Sequence, residues 1–159
     1  MPISPYLRTL REKIGHDLLL LPSVTAIVFN DRGEVLLQKS RDTNDWRLIG
    51  GVLDPQENPA DCAVREVQEE AGIDVTVERI VGVHARPLVT YPNGDKVLYI
   101  STSFRCRGKA GTPRVCDDES LEMRYFALRD LPELIPIDRR LIDLALAGDL
   151  RADFDRPAR

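Results

Sequence analysis

Glu66, Glu69 and Glu70 are the residues of this chain whose type and spacing point most directly to chemistry. Separations of three and four residues bring side chains together along an α-helix, so the three carboxylates are expected to share one face. Like charges held so close repel one another, and a bound cation is the usual remedy. Hard divalent ions such as Mg²⁺ take oxygen ligands of this kind and often share them with substrate phosphates. Such an ion neutralises phosphate charge and lowers the pKa of bound water, which are the two needs of pyrophosphate hydrolysis. Cys62, Cys106, Cys116, His16 and His84 lack the paired spacing of a zinc site.

The helix that must carry the glutamates has clear boundaries. Asn58 is suited to the N-cap, Pro59 to the first helical position and Gly72 to the C-terminal stop. Ala63, Val64, Val67 and Ala71 form the apolar face expected to pack on a core. Gly50 and Gly51 precede the helix and would let the backbone approach a ligand closely.

Residues 50–73, GGVLDPQENPADCAVREVQEEAGI, resemble the signature of the Nudix hydrolases. Gly51, Glu57, Arg65, Glu66, Val67, Glu69, Glu70, Gly72 and Ile73 stand at its fixed positions. Two residues depart from the common form: Ile49 replaces a proline before the double glycine, and Gln56 replaces a glycine before Glu57. The resemblance implies an α/β (α+β) fold, an α/β/α sandwich with a mixed central β-sheet. It covers approximately residues 23–147 of a chain read as a single domain, 1–159, with residues 1–22 as an N-terminal helical extension.

By the same resemblance, Mg²⁺, with Mn²⁺ as an alternative, is held by Glu57, Glu66, Glu69, Glu70 and the Gly50 carbonyl. Glu66 is a candidate base, and Arg65 pairs with a glutamate to orient it. A further carboxylate is expected from the acidic loop downstream, where Asp118, Glu119 and Glu122 compete and Glu119 is preferred. Lys39, Arg41, Arg47 and Arg86 are the candidates for gripping phosphate, arginine having the fork that suits it. Pro87 and Tyr91, downstream of the signature, point to different substrate groups within such a family. The expected reaction cleaves a nucleoside diphosphate linked to another moiety, ADP-ribose-like. The alternatives are a nucleoside triphosphate, oxidised or not, and a non-catalytic nucleotide sensor, which the intact set of carboxylates disfavours. RNA-cap hydrolysis ranks lower still.

Composition sets the outer bounds. The 159 residues suit one substantial core. A net charge of −4 gives no electrostatic footprint for duplex nucleic acid, so a small nucleotide is the expected partner. No apolar run reaches the roughly 18 residues of a membrane span, and the odd cysteine count suits reduced thiols. The expected setting is the cytoplasm.

The remaining elements follow from local patterns. Residues 4–14 read as a helix closed by Gly15, either a simple packing helix or one that covers the substrate or the second subunit of a homodimer. Ser23–Asn30 and Glu34–Lys39 read as a hairpin of central strands around Asp31-Arg32-Gly33, and Trp46–Ile49 as a short strand, with Trp46 read as core. Asp74–His84 reads as one strand or two joined at Gly82. Tyr91–Asp95 reads as a turn whose Asn-Gly pair supplies positive φ angles, leading into a strand from Lys96. Leu121–Leu128 is expected as a strand, Asp138–Ala147 as a helix and residues 151–159 as a frayed end.

Overall fold

A computed structural model describes residues 4–155 of the chain. The elements run α1 (Pro5–Ile14), β1 (Leu19–Phe29), β2 (Val35–Ser40), β3 (Trp46–Arg47), α2 (Pro59–Ala71), β4 (Val75–Ala85), β5 (Val89–Thr90), β6 (Lys96–Gly108), β7 (Ser120–Phe126), α3 (Pro136–Leu146) and β8 (Asp153–Phe154). The sheet is mixed, in the order β3-β2-β1-β6-β4-β8, with β5 on β6 and β7 on β2. β1 runs parallel to β6 along its whole length, and β6 runs antiparallel to β4.

Alternation along β1 divides the interior in two. Val24, Ala26 and Val28 join Cys62, Ala63, Val67 and Ala71 of α2 on one face. Ile27 and Phe29 join Leu141, Ile142 and Ala145 of α3 on the other. A helix therefore covers each face of the sheet, and the α/β/α sandwich expected from the sequence is observed. Trp46 packs into the second cluster with its ring edge-on to Phe126, the core role read for it.

Several local expectations need correction. β1 and β2 pair only at Phe29↔Val35, next to the turn. Beyond that point β2 pairs with β7 and β3, and the edge of β1 goes instead to the glycine segment. Ala26 bridges to Ile49 and Ser23 to Val52, so the segment carrying Gly50 and Gly51 is stitched to the central strand. On α2, Val64 is exposed and Cys62 takes the buried place expected of it. β4 is continuous through Gly82, absorbing two register shifts rather than breaking. In the Tyr91–Asp95 turn only Gly94 has positive φ. Asp153 and Phe154, expected in a frayed end, add a parallel strand beside Gly82 and Val83; residues 156–159 lie outside the described part.

Candidate active site

The caps of α2 are those expected. The Asn58 side chain accepts from the N–H groups of Ala60 and Asp61, Pro59 opens the helix, and Gly72 closes it in the left-handed conformation. What differs is the arrangement of the glutamates. Glu66 and Glu70 are buried, at 0% and 6% exposure, whereas the Glu69 side chain is 57% exposed. Glu66 and Glu70, one turn apart, point inward, and Glu69 is rotated to the helix margin. The three carboxylates lie on one side of the helix at unequal depth, and Arg65 Nη1 bridges Glu66 and Glu69.

Arg65 supplies the positive charge for three of the four signature glutamates. Its Nε and Nη2 donate to the two oxygens of Glu57 at 2.8 and 2.9 Å. Its Nη1 donates to Glu66 at 2.9 Å and to Glu69 at 3.0 Å, and Nη2 also reaches the Val52 carbonyl at 3.2 Å. The hydrogen bond from Arg65 holds Glu57 below the usual carboxylate range, and Glu57 in turn raises Arg65. The sequence reading paired Arg65 with a single glutamate; here it is the hub of the cluster.

Arg65 leaves a remainder. Glu66 Oε2 and Glu70 Oε2 are buried and make no hydrogen bond. Burial raises the proton affinity of Glu66, and it pushes Glu70 up to about 9, helped by the charges of Glu66 and Asp117. Orphaned oxygens of this kind are costly unless protonated or bound to a cation. The donor set therefore fits a hard divalent ion, although among the described residues no three acidic, imidazole or thiol groups already converge on one point. The remaining ligands would have to come from backbone, water or substrate.

The glycine segment places its backbone beside these oxygens. Ala26 N–H donates to the Ile49 carbonyl and Val24 N–H to the Gly51 carbonyl, both at 2.9 Å. Alternation along an extended chain then turns the Gly50 carbonyl away from β1. A Cβ on Gly51 would collide with the Glu66 carboxylate, and one on Gly50 with the Val24 carbonyl oxygen. Both glycines are thus required by close approach. Gln56, at a glycine place in the signature, has φ +72°, so the loop keeps the left-handed turn without the glycine.

A cleft of about 1620 Å³ opens over this region. Arg65, Glu69, Gly50 and Gly51 are among its lining residues, and the Glu66 carboxylate lies against Gly51. Of the three competing loop carboxylates, Glu119 lines the cleft; Asp118 is exposed and Glu122 pairs with Arg124 on β7. Arg41 ties this loop down, its Nε donating to the Asp118 carbonyl and its N–H to the Glu119 carbonyl, each at 2.7 Å. Arg47, Arg86 and Tyr91 line the cleft, whereas Lys39 and Arg41 are not among its walls. Leu7 and Arg11 of α1 and its N-cap Ser4 also line the cleft.

Two acidic residues escaped the sequence reading. Asp117 caps the turn of the acidic loop, accepting from the N–H groups of Glu119 and Ser120, and its charge acts on Glu70. Asp138 of α3 is buried at 3% exposure and accepts from Arg47 Nε and Leu48 N–H, both at 3.2 Å. Asp117 stood next to the competing carboxylates and could have been weighed with them. Asp138 looked like any acidic residue in a first helical turn.

Comparison with known proteins now decides the family. The NUDIX domain model matches residues 19–145. The chain belongs to the NUDIX domain family. Among relatives in this family, a MutT-like protein of Streptomyces ambofaciens is 33% identical over 98 residues, covering 62% of this chain and 58% of that protein. The NAD-capped RNA hydrolase NudC of Pseudomonas putida is 32% identical over 138 residues, covering 83% of this chain and 47% of that protein. The crystal structure of a MutT NUDIX hydrolase from Burkholderia pseudomallei superposes with a TM-score of 0.65 at 26% identity, over 79% of this chain and 98% of that one. The chain spans about half the length of the curated NUDIX relatives it matches.

Proposed function

We propose that this protein hydrolyses a phosphoric-anhydride bond in a nucleoside diphosphate linked to another moiety, ADP-ribose-like, using water as the nucleophile. The observation that carries the reading is the pair of buried, unbonded carboxylate oxygens of Glu66 and Glu70 behind the Gly50–Gly51 turn. Glu66, Glu69, Glu70, Glu57 and the Gly50 carbonyl would hold Mg²⁺ or Mn²⁺. When bound, such an ion neutralises phosphate charge and lowers the pKa of water. Arg65 holds Glu57, Glu66 and Glu69 in place through its four carboxylate hydrogen bonds. Glu66 and Glu119 are the two candidates to take the proton from water. The guanidinium groups of Arg47 and Arg86 face the same cleft and grip phosphate.

The names of the relatives support this class, since NAD-capped RNA also contains a diphosphate bridge between two nucleosides. A second reading, cleavage of a nucleoside triphosphate to monophosphate and pyrophosphate, is favoured by the MutT-like relative and by a putative 8-oxo-dGTP diphosphatase of Bacillus subtilis, 41% identical over 61 residues. We further take the chain as one domain acting on small nucleotides in the cytoplasm. Among the described residues no helix is long and apolar enough to cross a membrane.

The test is a panel of nucleoside diphosphate derivatives and triphosphates with Mg²⁺ in ¹⁸O-labelled water, with products separated and weighed. For ADP-ribose the expected products are AMP and a sugar phosphate, with one labelled oxygen on a phosphate and no phosphoenzyme. Label on a sugar carbon, release of free adenine, or no turnover of any nucleotide would overturn the proposal.

A further inference from the structure

Asp138 lies at the centre of a second charged cluster, inverse in sign to the one around Arg65. Its carboxylate is almost fully buried between β3 and α3, and two arginines approach it. Arg47 donates to Oδ2 through Nε, and Arg86 Nη1 lies 3.9 Å from Oδ1. Arg86 Nη2 donates to Thr25 Oγ1 at 2.8 Å, and that hydroxyl also meets Ser101 Oγ at 3.1 Å. Among the described residues these are the only side-chain hydrogen bonds and ion pairs of the two guanidinium groups.

A guanidinium has five N–H donors. Arg86 is only 15% exposed, and burial lowers its proton affinity, so its unused donors are poorly served by water. Arg47 is anchored through Nε, and among the described residues its Nη groups make no side-chain hydrogen bond. One carboxylate against two guanidinium groups leaves a net positive charge in the wall of the cleft. The cluster also sits close to the glycine turn: Thr25, which Arg86 grips, follows Val24, and the backbone of both residues lies against Gly50.

We propose that Asp138 is a positioning residue that holds Arg47 and Arg86 as a two-armed clamp for the non-bridging oxygens of a substrate phosphate beside Gly50. Planar forks suit such oxygens in pairs. The anchoring carboxylate restrains Arg47, which would otherwise extend into solvent, and Thr25 restrains Arg86 from the opposite side. The inference rests on the reading of the cleft as a phosphoanhydride site, but it concerns binding, which can be measured without turnover.

The experiment is calorimetric titration of ADP into the full chain in EDTA, for wild type, Asp138→Asn, Thr25→Val, Arg47→Gln/Arg86→Gln and that pair combined with Asp138→Asn. The arginine pair should weaken ADP roughly tenfold to a hundredfold, as expected for lost charge-assisted hydrogen bonds. Asp138→Asn should weaken it about tenfold in the wild-type background and have no effect once both arginines are gone. A carboxylate acting only as a counter-charge would do the opposite, because its removal would tighten ADP. Tighter or unchanged binding in Asp138→Asn overturns the proposal, as does equal weakening in the two backgrounds or no ADP binding by wild type. Thr25→Val fills the same space and should weaken ADP several-fold even if Asp138→Asn fails to fold; an unchanged affinity counts against the clamp. Clamp behaviour without hydrolysis of any anhydride would sink the proposed reaction and leave this inference standing. Hydrolysis without clamp behaviour would do the reverse.

Discussion

The two charged clusters beside the cleft, one on α2 and one on α3, solve opposite electrostatic problems. At the α2 end one arginine, Arg65, is shared by Glu57, Glu66 and Glu69, and carboxylate oxygens are left over. At the α3 end one carboxylate, Asp138, is shared by Arg47 and Arg86, and N–H donors are left over. The carboxylate surplus is buried and Arg86 is nearly so, where an unmatched charge is costly, whereas Arg47 is partly exposed. The difference teaches what each end awaits: a cation at the first and an anion at the second. In the proposed reaction a metal-bound polyphosphate would supply both.

The largest effect is expected from removing a leftover carboxylate. Glu70→Gln keeps the shape of the side chain and should reduce turnover by about a hundredfold or more, as when a charge-stabilising group is lost. Near-normal turnover of this variant at saturating Mg²⁺ would break the assignment. Gly51→Ala should come next, since its methyl group must displace the Glu66 carboxylate. Displacement on that scale should cost roughly a hundredfold in rate, with binding of ADP in EDTA largely kept. A fully active Gly51→Ala enzyme would show that Glu66 need not stay where it is.

Glu119→Gln sharpens the comparison at the margin of the first end. It should lower turnover more than Glu122→Gln or Asp118→Asn, because only Glu119 of the three lines the cleft. Equal, mild losses in all three would make the loop a solvated surface.

The pH response separates the ends without any substrate. Glu70 is raised from 4.5 to about 9 in the folded chain, and Glu66 is raised as well. A group whose folded pKa lies above its unfolded value stabilises the fold fully below the unfolded value, and that contribution is lost as pH rises through the folded one. The metal-free protein should therefore lose thermal stability between about pH 4.5 and 9. The same deprotonation exposes the charge that a cation needs, so Mg²⁺-dependent turnover should rise over that range. Thermal scans of the wild type and Glu70→Gln in EDTA check the sign; a wild-type midpoint that climbs steadily with pH contradicts it. The smallest effect is at Gln56, where relief of the positive φ by Gln56→Gly should change stability by no more than about 1 kcal/mol, measured by denaturant unfolding.

How much of this could be read from the sequence depended on whether the determinant was local. The α2 helix was legible to its caps because Asn58, Pro59 and Gly72 act on their own neighbours. Gly50 and Gly51 were read as admitting a ligand, whereas the close approach observed is to Val24 and Glu66, which only the folded chain brings there. Helical spacing alone could not tell that Glu66 and Glu70 turn inward while Glu69 faces out, since that depends on the orientation of α2 against β1. Val64 lost its expected place in the core through the same rotation. β2 was assigned to β1 because they are sequential, whereas its main partner, β7, lies some eighty residues away along the chain. Asp138 was invisible because its meaning comes from Arg47 and Arg86, on separate strands and loops of the fold.

The most direct test of the central claim, that the leftover oxygens of Glu66 and Glu70 form a cation site, is the shift in thermal midpoint caused by Mg²⁺ from pH 6 to 9. In the wild type the shift should be positive and should grow with pH as the two carboxyls surrender their protons. In Glu70→Gln it should be largely abolished, while the metal-free midpoint at the alkaline end lies above that of the wild type. An equal Mg²⁺ shift in both proteins, independent of pH, would contradict the account.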